Sequence, residues 1–164
     1  MKKIIFGAIA ICTFYTSCDT KDIPKVDVSV EKALMDQKWK VMKIQLNPDI
    51  NQTGGSYTDI TASTDPCILD NRLIFTSKVD VSMDEHYRKC TTSAPQTQAY
   101  KYIIKNDNYI KIANDPNNDN DPGFLSGDFQ LIDINTFKVD VKVATPSNPN
   151  VVTSTIYTFV KTKN

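Results

Sequence analysis

The densest set of oxygen ligands in this 164-residue chain is the run 114–123 (NDPNNDNDPG), where Asp115, Asn117, Asp119 and Asp121 recur at every second position. That spacing presents several hard oxygens to one cation, as Ca2+ requires. The central Gly and distant bidentate Glu of a calcium loop are missing, Pro116 and Pro122 restrain the backbone, and turn chemistry alone gives a polar hairpin loop the same composition. Asp84, Glu85 and His86 set the single histidine beside two carboxylates, the makings of a general base. Consecutive residues of a strand face opposite ways, and no nucleophile stands at a recognisable spacing, so a solvated loop is the simpler expectation. Trp39, Phe75, Tyr100, Tyr102 and Phe137 supply flat apolar rings, with two hydroxyls. Such rings hold an apolar molecule or a glycan, or pack across strands.

Whole classes of chemistry are disfavoured by composition. Lys and Arg number 19 and Asp and Glu number 19, so the basic surplus that a phosphate backbone demands is missing and no nucleic-acid partner is expected. Neither a phosphate-binding loop nor a cofactor fingerprint nor a nucleophile motif occurs, so a non-enzymatic protein is expected, without a cofactor unless the acidic run takes Ca2+. Hydrophobic residues make up 40% of the chain, enough for one core.

The four cysteines divide by place. Lys2 and Lys3 precede the apolar run 4–15 (IIFGAIAICTFY), too short to span a bilayer and of the length of a secretory signal. The following Tyr15-Thr16-Ser17-Cys18 resembles a bacterial lipobox, which implies cleavage after residue 17 and a diacylglycerol on Cys18, with Tyr15 in place of the usual Leu. Residues 1–17 are then a lipoprotein signal peptide, and 18–28, polar and interrupted by Pro24, a linker on the lipid anchor. Cys12 leaves with the signal, and Cys67 and Cys90 remain as an even pair in an oxidising compartment, which reads as a disulfide. A zinc pair would need four ligands, and no second cysteine pair or histidine cluster is available.

Residues 29–164 form the folded domain. Ser29 caps a short helix through Val30, Ala33 and Leu34. Thereafter β-branched and aromatic runs recur between Asn, Asp, Ser, Pro and Gly, predicting eight strands at 39–46, 68–76, 79–83, 100–105, 109–113, 128–133, 136–143 and 151–161. Phe137, Val139, Val141 and Val143 alternate with Lys138, Asp140 and Lys142, and Val79, Val81 and Met83 repeat the pattern. Trp39 and Val41 lie on the opposite parity from Met42, Ile44 and Leu46, which a bulge would reconcile. Short links at 77–78, 106–108 and 134–135 make antiparallel hairpins. With no crossover helix in any gap, the expected fold is all-β: an antiparallel up-and-down eight-stranded barrel with a short N-terminal helix, a two-sheet sandwich being the competitor.

Lipobox, short helix, early Trp39 and strand meander together resemble the lipocalin-like domain of small Gram-negative surface lipoproteins. The resemblance runs over residues 29–164, through Leu34 and Trp39, Cys67-Ile68-Leu69-Asp70-Asn71 leading to Phe75, Cys90, Ile134-Asn135-Thr136-Phe137 and Tyr157-Thr158-Phe159. It departs from that pattern at Ser77-Lys78, where Asp-Gly is common, and at Gln37-Lys38-Trp39, which lacks the Gly before Trp of true lipocalins. It implies a lipocalin-like barrel on the cell envelope, at the outer membrane, and brings no ligand with it. The expected function is binding of a small apolar molecule or glycan, with Trp39, Phe75 and Phe137 in the inner layer. The alternative is a side-chain-filled barrel whose loops at 47–66, 114–127 and 144–150 recognise a surface protein.

Overall fold

The computed structural model describes residues 29–51 and 56–162, so the expected signal peptide, linker and lipidation at Cys18 lie outside the described residues. The first element among the described residues is α1 (Val30–Leu34), one helical turn whose N-cap is Ser29. The strands are β1 (Lys38–Asn47), β2 (Thr58–Asp59), β3 (Arg72–Phe75), β4 (Asp80–Asp84), β5 (Thr97–Lys105), β6 (Tyr109–Ala113), β7 (Leu125–Asp133), β8 (Thr136–Thr145) and β9 (Asn148–Lys161). A 3-10 turn (Thr61–Ser63) and a second helical turn, α2 (Pro66–Asp70), lie between β2 and β3.

From β3 to β9 each strand pairs antiparallel with the next, β3 also pairs with β1, and β9 returns to β1 from Trp39↔Lys161 to Asn47↔Ser154. With the two-residue β2 set aside, this is a closed eight-stranded antiparallel barrel, which rules out two open sheets. Closure abolishes the free edges that an open meander would expose. Both neighbours of every barrel strand lie between Lys38 and Lys161, and the hydrophobic cluster draws its members from Leu34 to Phe159. The domain therefore completes its own sheet and core.

Local sequence explains the shape. Asn106 and Asp107 both take positive φ, 51° and 57°, forming the tight turn that matches the twist of β5 and β6. The register of β1 against β9 slips between Val41 and Lys43. Met42 is extruded there and 53% exposed, so Trp39, Val41 and Ile44 all face the core despite their mixed parity.

Three sequence expectations are corrected. The run from Ile68 is not a strand at its start: Asp65 accepts the Cys67 N–H at 3.0 Å and Pro66 occupies the first helical position, so 66–70 turn as α2 and extension begins at Arg72. A capped start with Pro at its first position outweighs the β-branching of Ile68. Residues 144–150 are not a loop either, because β8 and β9 run on as a ribbon to Thr145↔Asn148. Pro149 is tolerated because it lies in the bulge between Asn148 and Val152, where β9 has no partner on β8, and β1 pairs with β9 only from Ser154 onward. The 114–127 loop is likewise shortened by β7, which begins at Leu125.

Candidate functional site

The two ends of the barrel differ. At one, α1 acts as a plug: Leu34 is fully buried, Trp39 Nε1 donates to the Leu34 carbonyl at 3.2 Å, and the Asp36 N–H donates to the Phe75 carbonyl at 3.0 Å. Above the plug the aromatic rings fill the interior. Trp39 meets Phe137 edge-on at 4.9 Å between centroids, Phe75 meets Tyr102 likewise at 4.9 Å, and Phe137 stacks on Phe159 at 4.6 Å. The Tyr102 hydroxyl donates to the Ser77 carbonyl at 3.0 Å, and burial pushes its pKa up to about 12.

Toward the opposite end the filling stops and a cavity of about 700 Å3 opens. Its walls are mostly apolar, formed by Val41, Leu73, Met83, Leu125, Val141 and Phe159. Exposed apolar side chains, Ile68, Phe124 and Val143, ring the mouth. The Cys67–Cys90 disulfide ties α2 to the β4–β5 connection at this mouth, with Cys90 in the cavity wall. Tyr157 also lines the cavity, and burial raises its phenol.

Of the five aromatic residues singled out in the sequence, four fall on the filled side. Trp39, Phe75, Tyr102 and Phe137 pack together as the floor and do not line the cavity. Tyr100 lies beside it, stacked on the lining residue Phe124 at 5.5 Å, with its hydroxyl donating to Gln98 Oε1 at 2.7 Å. Burial, and secondly the charge of Glu85, raise the Tyr100 phenol.

Asp84, Glu85 and His86 do not converge on a common point. Asp84 faces outward and is held below its ordinary value, first by the Gln96 amide hydrogen bond. His86 Nδ1 approaches Asp70 Oδ1 to 3.3 Å without hydrogen-bond alignment, and Asp70 Oδ2 accepts the N–H groups of Tyr87 and Arg88 at 2.7 and 3.0 Å. The expectation of a solvated loop fails at Glu85, which is 3% exposed and lines the cavity. Its burial extends the alternation of Val81 and Met83 by one step, a signal present in the sequence. Asn71, Leu73 and Tyr157 are other cavity residues that sequence reasoning does not assign to a site.

In the acidic run, the Asp115 and Asp121 carboxylates brace a turn that also carries Asn117 and Asp119. Asp121 accepts the N–H of Asp115 through one oxygen and that of Gly123 through the other, at 3.0 and 2.9 Å, and these bonds hold its carboxyl below the ordinary value. Asp115 Oδ1 accepts the Asn117 N–H at 3.2 Å. The buried Lys111 ammonium donates to the Asn118 carbonyl at 2.7 Å, bringing a positive charge to the loop. Among the described residues no cluster of three or more His, Cys, Asp or Glu is arranged around a metal position. No protein-family model, curated protein or solved structure matches the chain.

Proposed function

We propose that this chain is a non-enzymatic lipoprotein of the bacterial cell envelope, held by lipid on Cys18, whose lipocalin-like barrel takes a small apolar molecule into its open end. The observation that carries the reading is the asymmetric interior: aromatic packing and α1 close one end, and a cavity of about 700 Å3 with apolar walls opens at the other. That volume lies within the range of small-molecule sites, roughly 300 to 1,000 Å3. Apolar walls favour a hydrophobic ligand over a glycan. The alternative, a filled barrel whose loops at 47–66, 114–127 and 144–150 recognise a surface protein, draws less support, since the interior holds a cavity and 144–150 runs as the β8–β9 ribbon.

Native mass spectrometry of residues 29–164, exposed to apolar extracts of the envelope, tests the cavity. A retained adduct is expected, lost when Val141→Trp fills the space. A bare mass with every extract, under conditions in which the disulfide is intact, rejects the ligand. The anchor is tested separately: radiolabelled palmitate is expected on the exported chain and not on Cys18→Ser. An unlabelled wild-type chain rejects lipidation and leaves the cavity result standing.

A further inference from the structure

One inward-facing ladder runs from the floor of the barrel to its mouth along β3 and β4. Phe75 pairs with Val81 and Leu73 with Met83; continuing the same register by two residues sets Asn71 opposite Glu85. The ladder is therefore apolar for two rungs and polar at the third. Both third-rung residues line the cavity. Glu85 Oε2 and Asn71 Oδ1 are each shielded from water and have no hydrogen-bond partner among the described residues. Asn71 directs one amide N–H to Met83 Sδ at 3.6 Å, while its carbonyl oxygen receives no donor. An acceptor buried without a donor is a costly arrangement that a native fold normally completes.

No cation among the described residues completes it. Arg72 pairs in register with the outward-facing Asp84, and no Lys, Arg or His forms an ion pair with Glu85 among the described residues. Lys142 reaches the cavity wall, but its ammonium sits 2.6 Å from Asp128 and 3.7 Å from Asp140, and Asp128 also raises its pKa. A ligand carboxylate would meet two acceptors and a lysine already held by two acids.

We infer that the ligand is an amphiphile with a donor head, a primary ammonium group set against Glu85 Oε2 and Asn71 Oδ1, and an apolar chain running down between Leu73, Met83 and Phe159. An ammonium brings three donors and a positive charge to acceptors that lack both. This inference deepens the proposed cavity function and rests on it.

Isothermal titration of the 29–164 polypeptide with dodecylamine, dodecanol and dodecanoate, each below its aggregation concentration, separates the two. The amine is expected to bind at least about tenfold more tightly than the carboxylate, the scale of one hydrogen bond to a charged group, with the alcohol between them. Glu85→Gln is expected to weaken the amine about tenfold and leave the alcohol nearly unchanged. Equal binding of all three chains, or preference for dodecanoate, overturns the head-group assignment while the cavity stands. Absence of binding by all three overturns both. Should Glu85→Gln unfold, the wild-type series decides alone.

Discussion

Trp39 donates its indole N–H to the carbonyl of Leu34, 3.2 Å away, and so fixes the helical turn that closes the barrel to the strand that begins it. Leu34 is fully buried against the aromatic floor. Leu34→Ala is expected to cost about 2 to 5 kcal/mol, the range for deleting a buried leucine, with a fall in Tm on the order of ten degrees. Because the cavity opens at the far end, ligand affinity of the folded variant should stay within about twofold of wild type. Thermal melts and titration check the pair of outcomes; a selective loss of ligand with normal stability would show that the plug and the site are not separate.

The Cys67–Cys90 bridge spans 23 residues in sequence and joins α2 to the connection beyond β4. Loop closure of that length stabilises the fold by roughly 3 kcal/mol in the chain-entropy model. Urea unfolding of Cys67→Ala/Cys90→Ala should show a loss of about that size, and reductant should then have no further effect. Since Cys90 is also part of the cavity wall, affinity is expected to drop with the bridge. Unchanged stability on removal of both sulfurs refutes the structural role.

Much of the barrel is written in short-range pattern. The alternation Phe137, Val139, Val141 matches one face of β8, and the parity break around Met42 marks a real bulge, because both signals come from side chains facing the core. The helical turn at 66–70 is hidden: its cause is the cap Asp65-Pro66, a two-residue signal set among residues that favour strands. The ribbon at 144–150 is hidden for the opposite reason, since Pro149 and two asparagines read as loop unless one knows that β1 does not reach that far along β9. The site is the least legible. Trp39, Phe75 and Phe137 announce apolar interior, but which end of a barrel fills and which stays open depends on where α1 docks, a tertiary fact. Glu85 is legible in principle, as the next inward position after Val81 and Met83, and is obscured by its charge and by the neighbouring His86.

Gly127 sits where β7 curves against β8. A Cβ built there would overlap the Asp140 carbonyl, so the position admits only glycine without a shift of backbone. Gly127→Ala is expected to destabilise by about 1 to 3 kcal/mol through overpacking. The neighbouring Ser126→Ala loses only a hydroxyl contact, 2.6 Å from the Tyr109 oxygen, and should cost about 1 kcal/mol. Equal, small effects at both positions in chemical denaturation would contradict the close approach of the two strands.

Stability at high pH should follow Tyr102. Its phenol is pushed up by burial from 10.0 to about 12, whereas in the unfolded chain it titrates near the ordinary value. The folded form therefore holds its proton more tightly, and the stability tied to that proton is whole below pH 10 and falls away as pH rises toward about 12. A rise of that size corresponds to at most about 2 to 3 kcal/mol, less where solvent screens the phenolate. Tyr100 and Tyr157, also raised by burial, add to the loss in the same direction. Urea unfolding at intervals across this range should show a steady decline. Tyr102→Phe is expected to start about 1 kcal/mol lower at neutral pH, for want of the bond to Ser77, and then to decline less steeply. A decline of wild-type slope in Tyr102→Phe would assign the alkaline transition to other groups and remove Tyr102 from its cause.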